Sequence, residues 1–199
     1  AEYLGGEPVL LINKSDLIDA SSPIVSIEEK YKNLGYAVLR FSSKKATGHE
    51  QLQQVLQQGC SIFVGQSGVG KSSIIQSLLP NENIKVGELS EGARKGRHTT
   101  THASLYHFPF GGHCIDSPGI REFGLWHLDA TDVLQGFREF EPFIGHCKFR
   151  NCTHIGDKHC AIINAVDNGE ISEERYQSFC YIVQSLDEVT IQGDKGQKS

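Results

Sequence analysis

The chain has 199 residues, 38% hydrophobic and 22% charged, with a net charge of −5 and no methionine. That length suits one ordinary folded domain plus a small appendage, and no apolar run approaches the roughly 20 residues that span a bilayer. A surface that is basic overall is excluded, so any contact with nucleic acid has to come from a local patch. The chain opens on Ala1, lacks Met and has no signal-peptide pattern, which leads us to expect a piece of a longer, unexported protein.

Residues 8–12 are a short apolar run, read as a strand, that ends in Asn13-Lys14-Ser15-Asp16. N-K-x-D at a strand end suits the reading of guanine. A carboxylate at Asp16 accepts two hydrogen bonds, from N1–H and from the 2-amino group, and adenine offers neither donor. Lys14 would lay its stem along the base and Asn13 would brace the loops. The plainer alternative is a helix cap at Ser15 or Asp16.

Helical spacing over residues 26–34 places Ile27, Tyr31 and Leu34 on one face, with Gly35 to end the helix. Residues 36–41 read as a strand running into Ser42-Ser43-Lys44, a place from which a backbone N–H can meet the guanine carbonyl; any Ser-rich strand end looks the same. Residues 48–58 read as a helix with Leu52, Val55 and Leu56 inward.

Residues 60–64 are apolar and read as a buried strand. After them, Gly65-Gln66-Ser67-Gly68-Val69-Gly70-Lys71-Ser72, followed by Ser73, fits G-x-x-x-x-G-K-[ST] with no mismatch. Glycines let backbone N–H groups close around phosphate oxygens. Lys71 would reach the β- and γ-phosphates and the Ser72 hydroxyl would bind Mg²⁺. A helix from Ser72, with Ile74, Ile75, Leu78 and Leu79 on one face, points about half a unit of positive charge at the same place. The alternative is a plain glycine-rich turn.

Residues 87–101, ending in Gly96-Arg97-His98-Thr99-Thr100-Thr101, are too polar to pack and read as a mobile loop. A threonine there can complete the Mg²⁺ shell, or the segment is simply solvated. Residues 104–110 and 113–115 flank Gly111-Gly112 and read as a hairpin that delivers Asp116-Ser117-Pro118-Gly119. D-x-x-G after a P-loop brings the Asp116 carboxylate near Mg²⁺ and the Gly119 N–H near the γ-phosphate. Alone it is a turn after a strand.

Cys147, Cys152, His154 and Cys160 follow, as C-x4-C-x-H-x5-C. Three thiolates and an imidazole make a closed tetrahedral Zn²⁺ site, structural in role and suited to a reducing cytoplasm. His146 and His159 compete for the nitrogen position, and a metal-free loop is the alternative. Residues 130–140 read as a connecting helix and 172–189 as an amphipathic one, with Phe179, Ile182, Val183 and Leu186 on one side. Arg138, Lys148, Arg150 and Lys158 with Phe149 form a modest basic and aromatic patch, suited to RNA or to solvent. Cys60, Cys114 and Cys180 are expected in the core. The expected organisation is α/β: a GTPase-like domain over 1–128, a small, mostly helical zinc domain over 129–190, and a disordered tail over 191–199.

In the usual GTPase the P-loop precedes N-K-x-D; here the order is circularly permuted. With NKSD, GQSGVGKSS, GRHTTT, DSPGIREFGLWHL and the cysteine cluster all present, the sequence resembles the bacterial ribosome small-subunit-dependent GTPase A family over nearly its whole length. The resemblance implies a Mg²⁺-dependent GTPase that binds GTP and GDP, carries Zn²⁺, is stimulated by the 30S subunit, touches 16S rRNA and acts in late 30S maturation as a cytoplasmic monomer with no membrane association. It implies an N-terminal OB-fold domain as well, and no run of strands before residue 7 supplies one, so a fragment lacking it is expected. Ile120 stands where many GTPases place a water-orienting Gln. The resemblance gives that role to His98, beside Lys71 and Thr100, with Thr100 joining Ser72 on Mg²⁺ and Thr99 as its rival. A nucleotide-gated RNA-binding module with little catalysis is the alternative function, and a P-loop ATPase or kinase is opposed by Asp16.

Overall fold

The computed structural model describes residues 5–45, 47–66, 68–80, 104–116 and 128–195, and side chains within that set except those of Ser104, Asp116 and 187–195. The chain divides into two compact units, Val9–Phe123, and Gly124–Ser199 with Ala1–Pro8.

In the first unit β1 (Val9–Ile12) and β2 (Ala37–Arg40) run parallel, Val9 against Ala37 through Ile12 against Arg40. Parallel strands need a crossover, supplied by α1 (Pro23–Asn33). It starts earlier than the apolar spacing indicates, because Ser22 caps the Ile24 N–H and Pro23 occupies the first turn. Glu28, 7% exposed, ties this helix to β2 by accepting from Lys32 and from Arg40, each at 2.6 Å.

α2 (His49–Leu56) leads to β3 (Cys60–Ile62), and α3 (Lys71–Leu78) follows. β4 (Ser104–His107) and β5 (His113–Asp116) form the expected antiparallel hairpin, and β5 also runs parallel to β3, giving the order β3-β5-β4. Phe41, Leu52, Leu56, Ile74, Ile75, Leu78, Leu79, Phe108 and Cys114 make one buried cluster, with Leu11, Leu39 and Phe63 packed on it. Each fully buried Leu or Ile contributes about 2 kcal/mol, and the cluster joins residues of both sheets to α2 and α3.

Two expectations fail here. The strand after residue 59 is not buried throughout: Cys60 is exposed, Ile62 is 48% and Val64 60% exposed. Alternate residues of a strand take opposite faces, and Ser61 and Phe63 hold the inner one. Val55 is 40% exposed, because the two core contacts of α2 come from Leu52 and Leu56, one turn apart, and Val55 falls on the flank.

The second unit has its own core of Val133, Leu134, Phe137, Phe140, Cys160, Ile162, Ala165, Ile171, Phe179 and Val183. α4 (Ala130–Gln135) opens with a reciprocal cap: Asp129 accepts from the Thr131 and Asp132 N–H groups, and Asp132 accepts from the Asp129 N–H. The single helix expected over 130–140 breaks at Gly136 and resumes as a 3₁₀ segment, Arg138–Phe143. α5 (Ala161–Asp167) and α6 (Glu173–Lys195) complete the unit. α6 continues into the stretch expected to be a tail, since extending a formed helix costs far less than starting one. The Phe179 ring meets Phe137 and Phe140 edge-on at 5.7 and 5.4 Å, and Arg175 lies 4.4 Å over Phe137 while pairing with Glu139. Among the described residues no helix is long and apolar enough to cross a membrane.

Candidate functional site

Parallel β1 and β2 end side by side, so the loops that leave them are neighbours. The Phe41 N–H donates to the Ile12 carbonyl (2.9 Å) and the Ser15 N–H to the Phe41 carbonyl (3.0 Å). These bonds lock Asn13-Lys14-Ser15-Asp16 against Ser42-Ser43-Lys44. Lys14 turns the first loop with a left-handed backbone (φ 56°), its N–H held by Asn13 Oδ1 at 2.8 Å.

The Ser42 hydroxyl, on a residue 1% exposed, donates to Asp16 Oδ1 at 2.6 Å. That bond is the foremost reason the Asp16 carboxyl titrates below its usual value, with Lys44 and Lys45 adding attraction. Asp16 is therefore an ionised acceptor at neutral pH, aimed by a neighbour 26 residues away. No spacing signal in the sequence links the two side chains; Ser42 was expected to act only through its loop's backbone. The Ser42–Thr47 bridge closes that loop, and Gly48 seals it: at φ 77° a Cβ there would lie 1.9 Å from the Arg40 carbonyl oxygen.

Gly65, Gln66, Gly68 and Val69 are exposed between β3 and α3, while Gly70, Lys71, Ser72 and Ser73 are half-buried at the helix start. The Lys71 ammonium donates to the Gly65 carbonyl and, at 3.0 Å, to that of Gln66, so it lies folded over the loop it would serve. Gly70 meets two demands at once. Its φ is 98°, and a Cβ on it would stand 2.3 Å from Asn13 Nδ2.

That close approach is the central observation. Asn13 Nδ2 donates to the Val69 carbonyl (2.8 Å) and Lys14 Nζ to the Gly68 carbonyl (3.1 Å). Two segments more than fifty residues apart in the chain are thus joined in one loop cluster. Asp116 ends β5, the strand that pairs with β3. Ser67, His98, Thr99, Thr100 and Gly119 lie outside the described residues.

In the second unit the ligand atoms of Cys147, Cys152, His154 and Cys160 all lie within 4.8 Å of one another. Cys147 Sγ is 3.9 Å from Cys160 Sγ, and each is 3.5 Å from His154 Nδ1. A tetrahedron with Zn–S of about 2.3 Å and Zn–N of about 2.0 Å requires about 3.8 Å between sulfurs and about 3.5 Å from sulfur to nitrogen. The donor set therefore fits Zn²⁺, and His154 rather than His146 or His159 joins it. His154 and His159 both have left-handed backbones (φ 64° and 59°), which bend the chain around the cluster. The Ala161 N–H, at the start of α5, donates to Cys147 Sγ (3.3 Å), Tyr176 Oη donates to the His154 carbonyl (2.9 Å), and Asp157 braces Thr153. Burial pushes the Cys152 thiol up to about 12 and that of Cys160 upward as well, and it lowers His154. Without a cation these groups stay neutral; with one, the thiols release their protons. Nearby, Phe149 is 50% exposed with Lys148 Nζ 5.7 Å from its ring centre.

A family profile described as RsgA GTPase matches residues 1–126. The small ribosomal subunit biogenesis GTPase RsgA of Saccharophagus degradans is 50% identical over 97% of this chain, and that of Hahella chejuensis 50% over 96%. The chain spans 58% and 56% of those two relatives. Among solved structures, YjeQ from Thermotoga maritima superposes with a TM-score of 0.73 at 33% identity, covering 90% of this chain and 60% of that one. YloQ, a circularly permuted GTPase, gives 0.69 at 27%, covering 91% and 57%.

Proposed function

Since the chain belongs to the RsgA GTPase family, we propose that it is the guanine-nucleotide-binding and zinc-binding part of a GTP hydrolase that acts on the small ribosomal subunit. The observation that carries this reading is the pair of hydrogen bonds from Asn13 and Lys14 to the P-loop carbonyls of Val69 and Gly68. They support a single ligand that reaches from the loop of Asp16 to the P-loop.

In this account Asp16, held by Ser42, accepts from the guanine edge, and Lys14 covers the ring. Ser43 and Lys44 supply the loop that faces the guanine carbonyl. Gly65, Gln66, Ser67, Gly68, Val69 and Gly70 turn N–H groups toward the phosphates, with Ser73 at the helix start. The Lys71 ammonium exchanges its two loop carbonyls for phosphate oxygens. Ser72 and Thr100 would hold Mg²⁺, with the Asp116 carboxylate near it, and the ion would supply positive charge against the charge that develops on the phosphates. Gly119 senses the γ-phosphate, and His98 orients the attacking water. The Cys147, Cys152, His154 and Cys160 cluster holds Zn²⁺ with no open position, so its part is structural. The protein works as a monomer in the cytoplasm, and 16S rRNA meets the exposed Phe149 and its basic neighbours.

GTP turnover, measured on the full-length protein and titrated with small subunits, tests this reading. Stimulation by the subunits, with His98→Ala slowing turnover at unchanged nucleotide affinity, is expected. Turnover indifferent to the subunits would overturn the partner, and an unaffected His98→Ala would overturn the water-orienting role.

A further inference from the structure

The register of the three-stranded sheet brings together a set of side chains that nucleotide binding does not use. His107 of β4 lies opposite His113 of β5, and His113 lies opposite Cys60 of β3. Register partners point to the same face of a sheet. The adjoining row, Tyr106, Cys114 and Ser61, faces the other way, and Cys114 is fully buried there. The His–His–Cys row therefore points outward, and all three residues are exposed.

His107 Nδ1 and His113 Nδ1 stand 2.8 Å apart, with the rings at 83° and their centres 4.6 Å apart. At that distance one imidazole donates its N–H to the other, and where that proton leaves the two nitrogens can hold a cation in its place. A tetrahedral cation with two bonds of about 2.0–2.1 Å needs the nitrogens about 3.3 Å apart, an opening of roughly half an ångström. Neighbouring strands are about 4.8 Å apart, and Cys60 is exposed, so a change of its side-chain rotamer would carry the thiol to the same point. Two nitrogens and a sulfur favour a borderline or soft ion and exclude Mg²⁺ and Ca²⁺.

We propose that His107, His113 and Cys60 form a second metal site, for a divalent ion of the Zn²⁺ class, on the outer face of the β3-β5-β4 sheet. It is separate from the cysteine cluster, which belongs to the other unit. With three protein ligands it keeps one coordination position open, for water or for a donor from a partner. Cys60 and His113 are the first residues of β3 and β5; β3 leads on to the P-loop three residues after Ile62, and β5 ends at Asp116. A bound ion therefore clips together the starts of the two strands that present the P-loop and D-S-P-G.

The test is a metal titration of the whole chain with one equivalent of Zn²⁺ already in the cysteine cluster. A second equivalent of Zn²⁺ should bind in competition with a chromophoric chelator, and Co²⁺ in its place should give a thiolate-to-cobalt absorption band beyond that of the first site. His107→Ala and His113→Ala should each weaken the second equivalent at least about 10-fold, the effect of losing even an indirect partner. Cys60→Ser should remove the added band, while Cys147→Ser should leave the second site in place. All three residues of the row are exposed, so the variants should keep the wild-type circular dichroism spectrum. A wild-type chain that binds a single equivalent overturns the site, as does a second equivalent indifferent to His113→Ala. An added cobalt band that survives Cys60→Ser overturns the three-donor set.

Discussion

Asp16 and Ser42 state the case at the scale of single residues. A carboxylate can discriminate between purines only if it is ionised and aimed; the Ser42 hydroxyl aims Asp16 at 2.6 Å and further favours its ionised form. Asp16→Asn should lower the preference for GDP over ADP by about 10- to 100-fold, from the lost charge-assisted bonds, as read by competition binding. Ser42→Ala should weaken GDP binding several-fold and leave phosphate contacts intact. The pH dependence has a definite sign. Since the carboxyl of Asp16 is lowered from 3.8, its contribution is fully present above that value and is lost only as pH falls through the lower folded one. The GDP preference should be flat from about pH 8 to about pH 5; a decline centred near pH 6 would contradict an ionised Asp16. Gly70→Ala combines a left-handed backbone, costing about 1–2 kcal/mol, with a Cβ 2.3 Å from Asn13 Nδ2. It should break the bond between the loops and reduce affinity for GDP and ADP alike by more than about 10-fold.

At the scale of elements, the Glu28 pair and the cysteine cluster each hold one unit. Glu28 is buried, its partners are about half-exposed, and both hold its carboxyl below the usual value. Glu28→Gln should destabilise the first unit by about 1–2 kcal/mol. The stability that this pairing gives is complete above about pH 4.5 and lost as pH falls through the lowered value. In the second unit, chelation or Cys147→Ser should lower the melting temperature by roughly 10 °C or more, since binding energy at a structural site is folding energy. Zn²⁺ affinity should rise from about pH 6 to about pH 8, because thiols held protonated by burial release protons to the metal. The strands over 8–12 and 36–41, the hairpin around Gly111-Gly112 and the Cys₃His spacing were legible as patterns; the parallel pairing was not. What escaped was set by packing. The exposed face of β3 follows from Ser61 and Phe63 taking the core side, and the break after α4 from Gly136. The Ser42–Asp16 bond joins residues that no periodicity relates.

At the scale of the whole molecule, permutation places Asn13-Lys14-Ser15-Asp16 ahead of the P-loop in sequence and D-S-P-G shortly before residue 124, where the second unit resumes. Motif order alone revealed this. Chain connectivity matters less to such a site than the two contacts that close it, from Asn13 to Val69 and from Lys14 to Gly68. The most direct measurement is therefore the ratio of GDP to ADP affinity in the wild type, Asp16→Asn and Lys71→Ala. If one ligand spans both loops, Lys71→Ala weakens both nucleotides and keeps the ratio, while Asp16→Asn collapses the ratio toward one. A ratio that Asp16→Asn leaves untouched would contradict a single guanine-nucleotide site built from these two segments of the chain.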